Sequence, residues 1–472
     1  MVYFYEKKAH LTINKILTLT LLLFISILLI LLEIYPIQII IFYSIALLTL
    51  LIIDFGFLSF YSLLFSTFIL FYISRYILDI VAGLNVREFD FFYPMIVDDS
   101  TFITQNIVLI VFIYSFALSS FLISEKKYLF TNTENKSNIN GEILVFLFIL
   151  SSLFYAGKYY LIYRIIGFNY LYYQSHYVEV MNNIPLIVKL VANLYIISAV
   201  ALLSTLNIKK PYIIYSFLFL LISSISLLQG GRADFITSFI LIIWLYGRKF
   251  TTESMTIRKL ISLVMIIFLG IFLIQGVSEI RMENDDNHLN IITSLLYEQG
   301  TSLIIIPISI MFSGQLSLDM YIEHVVRFFT IPFNGLLNLI GTPFNLNTII
   351  ESIAIKINPT AISMGYGLGG SLPAELYLSF GILGMIIALP ILMYIYSIFF
   401  NTYPCVSNKI TLYKITLSAV IIKNIFFVMR GNSLEFIAEL IRNSIYILLF
   451  VLIYEILNLI HKALVKKNYD NI

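Results

Sequence analysis

The chain has few of the residues from which disulfide-bonded proteins, metal centres and nucleotide sites are built. It contains one cysteine, Cys405, among 472 residues, which excludes an intramolecular disulfide and a thiolate metal cluster. Charged residues make up only 12% of the chain, whereas soluble proteins carry about 25%. The net charge of +2 gives no indication of a nucleic-acid partner. HExxH, GxSxG and Walker motifs are also absent from the sequence, so we expect no metal and no cofactor.

Hydrophobic residues dominate instead and make up 60% of the chain. A transmembrane helix needs about 20 mostly apolar residues, and the sequence contains many such runs. It therefore predicts an all-α polytopic membrane protein with about 12 transmembrane helices. The tenth helix is long and is expected to tilt or to kink at Pro390. The predicted spans are 16–32, 36–53, 57–74, 102–123, 143–162, 184–206, 212–228, 233–247, 260–278, 372–399, 411–429 and 435–458.

The distribution of lysine and arginine predicts the orientation of these helices. With the N-terminus inside, seventeen of these residues fall in inner segments and ten in the larger outer segments. Cytoplasmic loops carry an excess of such residues, so both termini are predicted to be cytoplasmic. The first apolar run ends without a small-residue cleavage site, which favours a retained anchor over a signal peptide.

One large outer loop divides the predicted membrane part of the chain. We predict a bundle of nine helices in 1–278, the extracytoplasmic loop in 279–371 and three further helices in 372–472. Two apolar stretches of the loop, 301–312 and 325–340, are too short or too interrupted to span a bilayer. We expect short amphipathic helices that lie at the membrane interface or pack on the bundle.

Arginine is distributed unevenly between the two predicted faces. The inner face uses lysine almost alone, although either residue satisfies the topology rule. Arginine differs because its planar guanidinium binds phosphate through two parallel hydrogen bonds. A phosphate-bearing ligand on the outer face would explain the asymmetry, whereas pairing with loop carboxylates explains any single arginine. The predicted outer arginines are Arg75, Arg87, Arg164, Arg232, Arg281, Arg327 and Arg430.

Three helices that are predicted to begin on the outer face are each preceded by glycine. These are the spans that start near 233, 372 and 435. A helix N-terminus offers free amides to an anion, and glycine allows the backbone to approach a ligand closely. The alternative is that these glycines make tight turns between helices. We take Arg232, Arg281, Arg327 and Arg430 as candidates for binding a diphosphate.

Ionisable residues near the outer ends of the helices are candidates for acid–base catalysis. Glu375 lies near the start of the tenth span, where a charge is costly and often marks function. Glu323 and His324 share one amphipathic stretch with Arg327, one turn later. A carboxylate or a histidine there could act as a general base. The alternative for each histidine is an ordinary residue that faces solvent.

Two segments resemble motifs of a bacterial family. Gln229-Gly-Gly-Arg232-Ala-Asp-Phe resembles the "G-x-R" segment of oligosaccharide repeat-unit polymerases, the O-antigen and capsule polymerases of the Wzy family. Gly370-Ser-Leu-Pro-Ala-Glu375-Leu-Tyr-Leu-Ser-Phe-Gly381, followed by Gly384, resembles a second segment of these enzymes. The large loop between the two segments also fits. Paired outer-loop motifs of some relatives, with Arg and Gly eleven positions apart, are absent here.

The resemblance implies a GT-C-like fold and a glycosyltransferase of the bacterial inner membrane. Such enzymes transfer a growing glycan from undecaprenyl diphosphate to the next lipid-linked repeat unit on the outer face. They need neither a metal nor a nucleotide sugar, and a chain-length regulator protein is an expected partner. Arg232 and Glu375 take catalytic roles by family position, while Glu323 and His324 are candidates from their own chemistry.

Two other functions fit much of the same sequence. A transporter or flippase of lipid-linked oligosaccharide would suit twelve spans, but neither the large outer loop nor the absence of two similar halves favours it. An O-antigen ligase would use the same lipid-linked donor with a different acceptor. The segments around Arg232 and Glu375 favour the polymerase.

Overall fold

The structure is a computed structural model. It describes residues 2–89, 94–123, 139–167, 180, 183–229, 232–250, 291–333, 346–363, 368–402 and 408–470.

The chain forms two compact units that are interleaved in sequence. Unit 1 contains Met1–Lys126, Asn287–Ile398 and Ile425–Glu435. Unit 2 contains Lys127–Asp286, Phe399–Asn424 and Phe436–Ile472. Much of the predicted outer loop therefore belongs to the same unit as the first four helices. The predicted division at residues 279 and 372 was based on hydropathy and stays a prediction.

Unit 1 contains one small hairpin and all or most of each of ten described helices. The hairpin pairs β1, Glu88–Phe89, with β2, Met95–Ile96, in antiparallel register. Helix α3, Phe60–Ala82, contains a π-helical turn at Ile69–Ile73. Such a turn is rare and often occurs at functional sites. The helices are α1 Val2–Leu31, α2 Pro36–Phe55, α3 Phe60–Ala82, α4 Asp99–Leu122, α9 Ile291–Gly300, α10 Ile305–Phe312, α11 Leu318–Thr330, α12 Ile349–Ile357, α13 Pro359–Ser363 and α14 Leu372–Phe400.

Unit 2 contains all or most of each of the remaining described helices. Stacked rings join α5, Gly141–Ile166, to α6, Leu186–Thr205. The ring centroids of Tyr155 and Tyr195 lie 4.4 Å apart. The buried ammonium of Lys249 donates to three carbonyls at the end of α6, at 2.7 to 2.9 Å, and so satisfies acceptors that the helix leaves open. These helices are α5 Gly141–Ile166, α6 Leu186–Thr205, α7 Lys209–Ser223, α8 Arg232–Phe250, α15 Lys409–Ile425 and α16 Glu435–Asp470.

Most of the predicted spans coincide with helices. Three predicted spans coincide with helices that are shorter or more charged, at Ile16–Leu31, Arg232–Phe250 and Lys409–Ile425. The remaining prediction, 260–278, lies outside the described residues, so the count of twelve and the GT-C-like arrangement stay predictions. Within the described part, 8 helices are long and apolar enough to cross a membrane: Pro36–Phe55, Phe60–Ala82, Asp99–Leu122, Gly141–Ile166, Leu186–Thr205, Lys209–Leu227, Leu372–Phe400 and Glu435–Leu464.

Large apolar side chains are exposed along these helices. Phe42 is 69% exposed, Ile53 72% and Leu383 79%. Exposed apolar surface on this scale is unfavourable in water and is the normal surface of a helix that faces lipid. The apolar periphery therefore agrees with the composition, which left too few polar residues to cover a soluble fold.

The interior of unit 1 is a ladder of aromatic rings between α3 and α4. The rings of Phe68 and Phe112 stack with centroids 5.0 Å apart, and those of Phe65 and Phe116 lie 5.1 Å apart. Phe68 also contacts Tyr72, one turn further along α3, at 5.2 Å. Aromatic contacts of this kind add to the stabilisation from burial. They fix the part of α3 that carries Tyr72.

The two apolar stretches of the predicted outer loop have different environments. Residues 301–312 lie in the interior of unit 1, where Leu303, Ile305 and Ile306 are fully buried and α10 packs against α4. Helix α11, which contains the described part of 325–340, buries His324 but exposes apolar residues such as Val325. The first stretch therefore packs on the bundle, while the second forms an amphipathic helix.

Helix α14 is interrupted at Gly381, ahead of Pro390, where the sequence predicted a tilt or a kink. Gly381 has φ 68° and ψ −178°, a conformation that only glycine adopts readily. Pro390 lies inside the same helix, where proline removes one backbone hydrogen bond, so the tilt or kink there stays a prediction. The interruption leaves Glu375 on a short segment, from Leu372 to Phe380, ahead of the long apolar part.

This geometry predicts that Gly381→Ala destabilises the protein by about 1–3 kcal/mol, because alanine is strained at this φ and ψ. Thermal unfolding of the purified protein in detergent measures the effect. Gly157→Ala is the matched control, since a Cβ at Gly157 inside α5 meets no atom within 4 Å. It should be neutral or slightly stabilising. Equal effects of the two variants would contradict the assigned strain.

Candidate functional site

A buried carboxylate in unit 1 forms the centre of the candidate site. Glu375, on the first turn of α14, is only 3% exposed. Its Oε2 accepts a hydrogen bond from the backbone N–H of Ser433 at 2.8 Å, and its Oε1 accepts one from the Ser433 hydroxyl. His324 Nε2 lies 3.1 Å from Oε1. These partners suit a carboxylate, which only accepts hydrogen bonds.

The second nitrogen of His324 determines which proton the ring carries. Nδ1 lies 3.3 Å from the backbone nitrogen of Ile349, whose N–H can only donate. An accepting nitrogen carries no proton, so the neutral ring carries its proton on Nε2 and donates it to Glu375. The Ile349 amide is free for this contact because it lies in the first turn of α12 and has no partner within the helix.

The start of α12 is itself fixed by a capping box. Thr348 Oγ1 accepts the N–H of Glu351 at 3.1 Å, and Glu351 Oε2 accepts the N–H of Thr348 at 2.8 Å. This reciprocal pair satisfies two amides at the helix start. It also fixes the direction in which the neighbouring N–H of Ile349 points towards His324.

Arg327 binds the same capping residue. Its Nη2 donates to Glu351 Oε1 at 3.0 Å, and its Nη1 donates to the carbonyl of Leu346 at 2.5 Å. The pairing agrees with the alternative in which an outer arginine neutralises a loop carboxylate. A direct role of Arg327 in binding diphosphate stays a prediction.

Helix α11 is attached to α14 one turn before His324. The Tyr321 hydroxyl donates to the carbonyl of Leu378 at 2.6 Å. Burial raises the pKa of Tyr321, so its hydroxyl keeps the proton that it donates. This contact holds His324 opposite Glu375.

The two glycine-rich segments approach each other at the backbone. A Cβ on Gly370 would lie 2.4 Å from the carbonyl carbon of Gly431, and the N–H of Gly370 donates to the carbonyl of Arg430 at 3.1 Å. Glycine is required at residue 370 for this packing, which agrees with the tight-turn alternative. The contact brings the residues before α14 beside those before α16.

Tyr72 connects α3 to both of these segments. Its hydroxyl lies 2.8 Å from Ser371 Oγ and also donates to the carbonyl of Met429. Tyr72 is fully buried and follows the aromatic ladder of α3. Tyr72 therefore joins α3 to the residues that precede α14 and α16.

Arg430 lies beside this junction, and its guanidinium contacts Gln299 and Phe71, which belong to α9 and α3. Its Nη1 donates to Gln299 Oε1 at 3.1 Å, and the guanidinium carbon lies 5.7 Å from the ring centre of Phe71. Gln299 is the residue before Gly300, at the end of α9. The hydrogen bond of Nη1 therefore links the residues before α16 to the end of α9.

Arg75 is a buried arginine beside Gly300, where an added Cβ would lie 2.5 Å from the arginine side chain. It is 3% exposed, and its Nη2 donates to the carbonyl of Glu88 at 2.7 Å. The rings of Tyr297 and Phe89 lie 4.2 and 5.2 Å from its guanidinium carbon. Its Nη1 has no hydrogen-bond partner, and no ion pair joins it to a carboxylate in the described part of the chain. A buried cation of this kind is costly unless an anion joins it.

Two of the other predicted site residues, Arg232 and Arg281, stay predictions. Arg232 is the first residue of α8 in unit 2, but the placement of its side chain lies outside the described residues, as does all of Arg281. Glu323 is half-buried and precedes His324 on α11. Adjacent helical residues point about 100° apart, so Glu323 faces away from the direction in which His324 meets Glu375.

Sequence reasoning missed three residues that complete the site. Ser433 and Ser371 precede helices, Tyr72 lies in the π-helical turn of α3, and none of the three carries a charge that would mark it. The only signal was position, since Ser433 and Ser371 follow the two glycine-rich segments. In the described part of the chain, no group of three His, Cys, Asp or Glu residues could hold a metal ion.

The donors around Glu375 predict the effect of an isosteric change. In Glu375→Gln, the new amide group would place a donor against either Ser433 N–H or His324 Nε2–H. An unsatisfied buried polar group costs about 1–3 kcal/mol, so the thermal unfolding temperature should fall. Glu323→Gln on the neighbouring helix should unfold like the wild type. Equal stability of wild type and Glu375→Gln would contradict these hydrogen bonds.

Comparison with known proteins places this site within a family. A family model described as O-antigen polysaccharide polymerase Wzy matches residues 12–463, which is nearly the whole chain. No curated protein and no solved structure matches the chain. The match confirms the family that the segments around Arg232 and Glu375 predicted. The chain therefore belongs to the O-antigen polysaccharide polymerase Wzy family and is a multi-pass membrane protein of polysaccharide biosynthesis.

Proposed function

We propose that this polymerase transfers a growing glycan from undecaprenyl diphosphate to the next lipid-linked repeat unit, on the outer face of the bacterial inner membrane. Both termini would be cytoplasmic, and a chain-length regulator would be a partner. The observation that carries the proposal is the buried Glu375, which is surrounded by donors where the predicted outer ends of several helices meet. Family membership supplies the substrate class.

Glu375 would act as the general base of the transfer. A hydroxyl oxygen of the acceptor sugar attacks the anomeric carbon of the donor glycan and forms the new glycosidic bond. The bond from that carbon to the diphosphate oxygen breaks, and the diphosphate leaves with the electron pair. The hydroxyl proton passes to Glu375, whose Oε2 accepts only the Ser433 N–H among described groups and keeps a lone pair.

His324 would hold Glu375 in place instead of taking the proton itself. Its Nε2 already donates to the carboxylate, and its Nδ1 is occupied by the Ile349 amide. A histidine in this state has no free acceptor for a sugar hydroxyl.

Arginines would stabilise the negative charge that develops on the departing diphosphate. Arg430 contacts Gln299 and Arg75 packs against the adjacent Gly300, and Arg75 Nη1 supplies a donor that no described protein group uses. Arg232 and Arg281 join this set by sequence. The transfer needs no metal in this scheme, because the diphosphate is a good leaving group once its charge is neutralised.

Substitution at the two family positions tests these roles. Arg232→Ala and Glu375→Ala should each abolish chain growth, about 100-fold or more in rate, while the protein still reaches the membrane. Arg232→Lys should also fail if two parallel hydrogen bonds to phosphate matter. Arg87→Ala is the control, since Arg87 forms a partly exposed ion pair with Asp99. Normal polymer from either alanine variant would remove that residue from the mechanism.

Deletion of the gene in its host separates the polymerase from its alternatives. A polymerase deletion should abolish the ladder of surface glycan on a gel and leave a single repeat unit on the surface anchor. Loss of even this one unit would favour a flippase or a ligase. An unchanged ladder would contradict any role in surface glycan assembly.

A further inference from the structure

Two residues of α11 hold the first turn of α12. His324 and Arg327 are three residues apart and therefore lie on neighbouring positions of one helix face. His324 accepts the N–H of Ile349, and Arg327 binds the carboxylate of Glu351. The start of α12 is thus linked to the buried Glu375 through His324.

We propose that Arg327 is a positioning residue for Glu375, which acts through the capped start of α12 and through His324, and is not a ligand of the diphosphate. This inference rests on the proposed function, in which Glu375 is the general base.

The first step runs from Arg327 to the helix cap. The guanidinium neutralises Glu351, whose carboxylate accepts the N–H of Thr348 at 2.8 Å. The Thr348 hydroxyl accepts the N–H of Glu351 in return, at 3.1 Å. Thr348 is 2% exposed, so its backbone has little freedom once both bonds are formed. Arg327 thereby fixes the backbone that carries the Ile349 amide.

The second step runs from the Ile349 amide to the carboxylate. The N–H of Ile349 excludes a proton from His324 Nδ1, so the proton stays on Nε2 and faces Glu375. If the start of α12 shifted, the ring could take the other tautomer. A lone pair on Nε2 would then face the carboxylate, and the resulting repulsion would move Glu375 away from its working position.

The contacts of Arg327 also argue against direct binding of the carrier. Its two terminal nitrogens already donate to the Glu351 carboxylate and the Leu346 carbonyl, at 3.0 and 2.5 Å. A diphosphate would have to displace both acceptors and leave Glu351 without its counter-ion. Both terminal nitrogens of Arg327, which a diphosphate would need for two parallel hydrogen bonds, are therefore already bound to protein groups.

Steady-state kinetics can separate the two roles of Arg327. The purified protein in lipid nanodiscs is supplied with its lipid-linked repeat unit, and kcat and KM of polymer formation are measured. The variants are Arg327→Ala, Glu351→Ala, Glu351→Gln, Thr348→Ala and Thr348→Ser. Lys356→Ala is the matched control, because Lys356 lies on α12 and its ammonium donates, among described groups, to the exposed Gln315 carbonyl at 3.4 Å.

A positioning role predicts effects on kcat. Arg327→Ala and Glu351→Ala should each lower kcat by about 100-fold at nearly constant KM, since small displacements of catalytic groups have effects of this size. The double variant Arg327→Ala/Glu351→Ala should be no slower than the slower single variant, because both substitutions break the same linkage between Arg327 and Glu351. Glu351→Gln should lose less, since glutamine preserves the capping box. Thr348→Ser should restore the activity that Thr348→Ala loses, and Lys356→Ala should match the wild type.

A direct ligand role predicts a different pattern. Arg327→Ala would then raise KM, while Glu351→Gln would lower KM or leave it unchanged, because it frees the guanidinium. Either that pattern or full activity of Glu351→Ala, measured beside an active wild type, would overturn this inference and leave the proposed function intact. A wild type that makes no polymer would instead contradict the proposed function. Should Glu351→Ala not fold, the Thr348 pair gives the same test, and equal activity of its two variants would overturn the inference.

Discussion

The burial of the Glu375 carboxylate is the constraint on which the site in unit 1 depends. A charge shielded from water is costly unless donors surround it. The described donors come from Ser433 and His324, which lie 58 and 51 residues away in the chain. Helix α11, the start of α14 and the residues before α16 must therefore be brought together for the charge to be tolerated. The aromatic ladder of α3 and the Tyr72 contacts stabilise the same junction.

Glycine makes this junction sterically feasible. At Gly370 the absence of a Cβ allows the backbone to lie against Gly431, and at Gly300 it makes room for Arg75. At Gly381 a positive φ ends the short segment that carries Glu375. The glycines that resembled a family motif thus have physical roles in packing and in helix interruption. The ligand-binding chemistry is left to charged side chains beside them.

The charged side chains fall into two groups by their partners. Arg327, Glu351 and His324 bind one another or the backbone, so their charges and protons are already committed within unit 1. Arg75 keeps a buried donor that no described group uses. This difference separates the residues that we propose to orient the base from Arg75, which we propose to receive a phosphate. Sequence alone had treated Arg327 and Arg430 as equivalent.

The sequence determined that the chain is helical, crosses the membrane several times and belongs to this polymerase family. These properties depend on local composition and short motifs, which need no knowledge of packing. It also selected Glu375 and His324 as candidates, because ionisable residues stand out in an apolar chain. Only the tertiary structure decided that the two are partners, that Ser433 completes the site and that α14 is interrupted at Gly381. Hydrogen bonds between residues far apart in sequence and the φ of one glycine are set by packing, and a linear pattern does not record them.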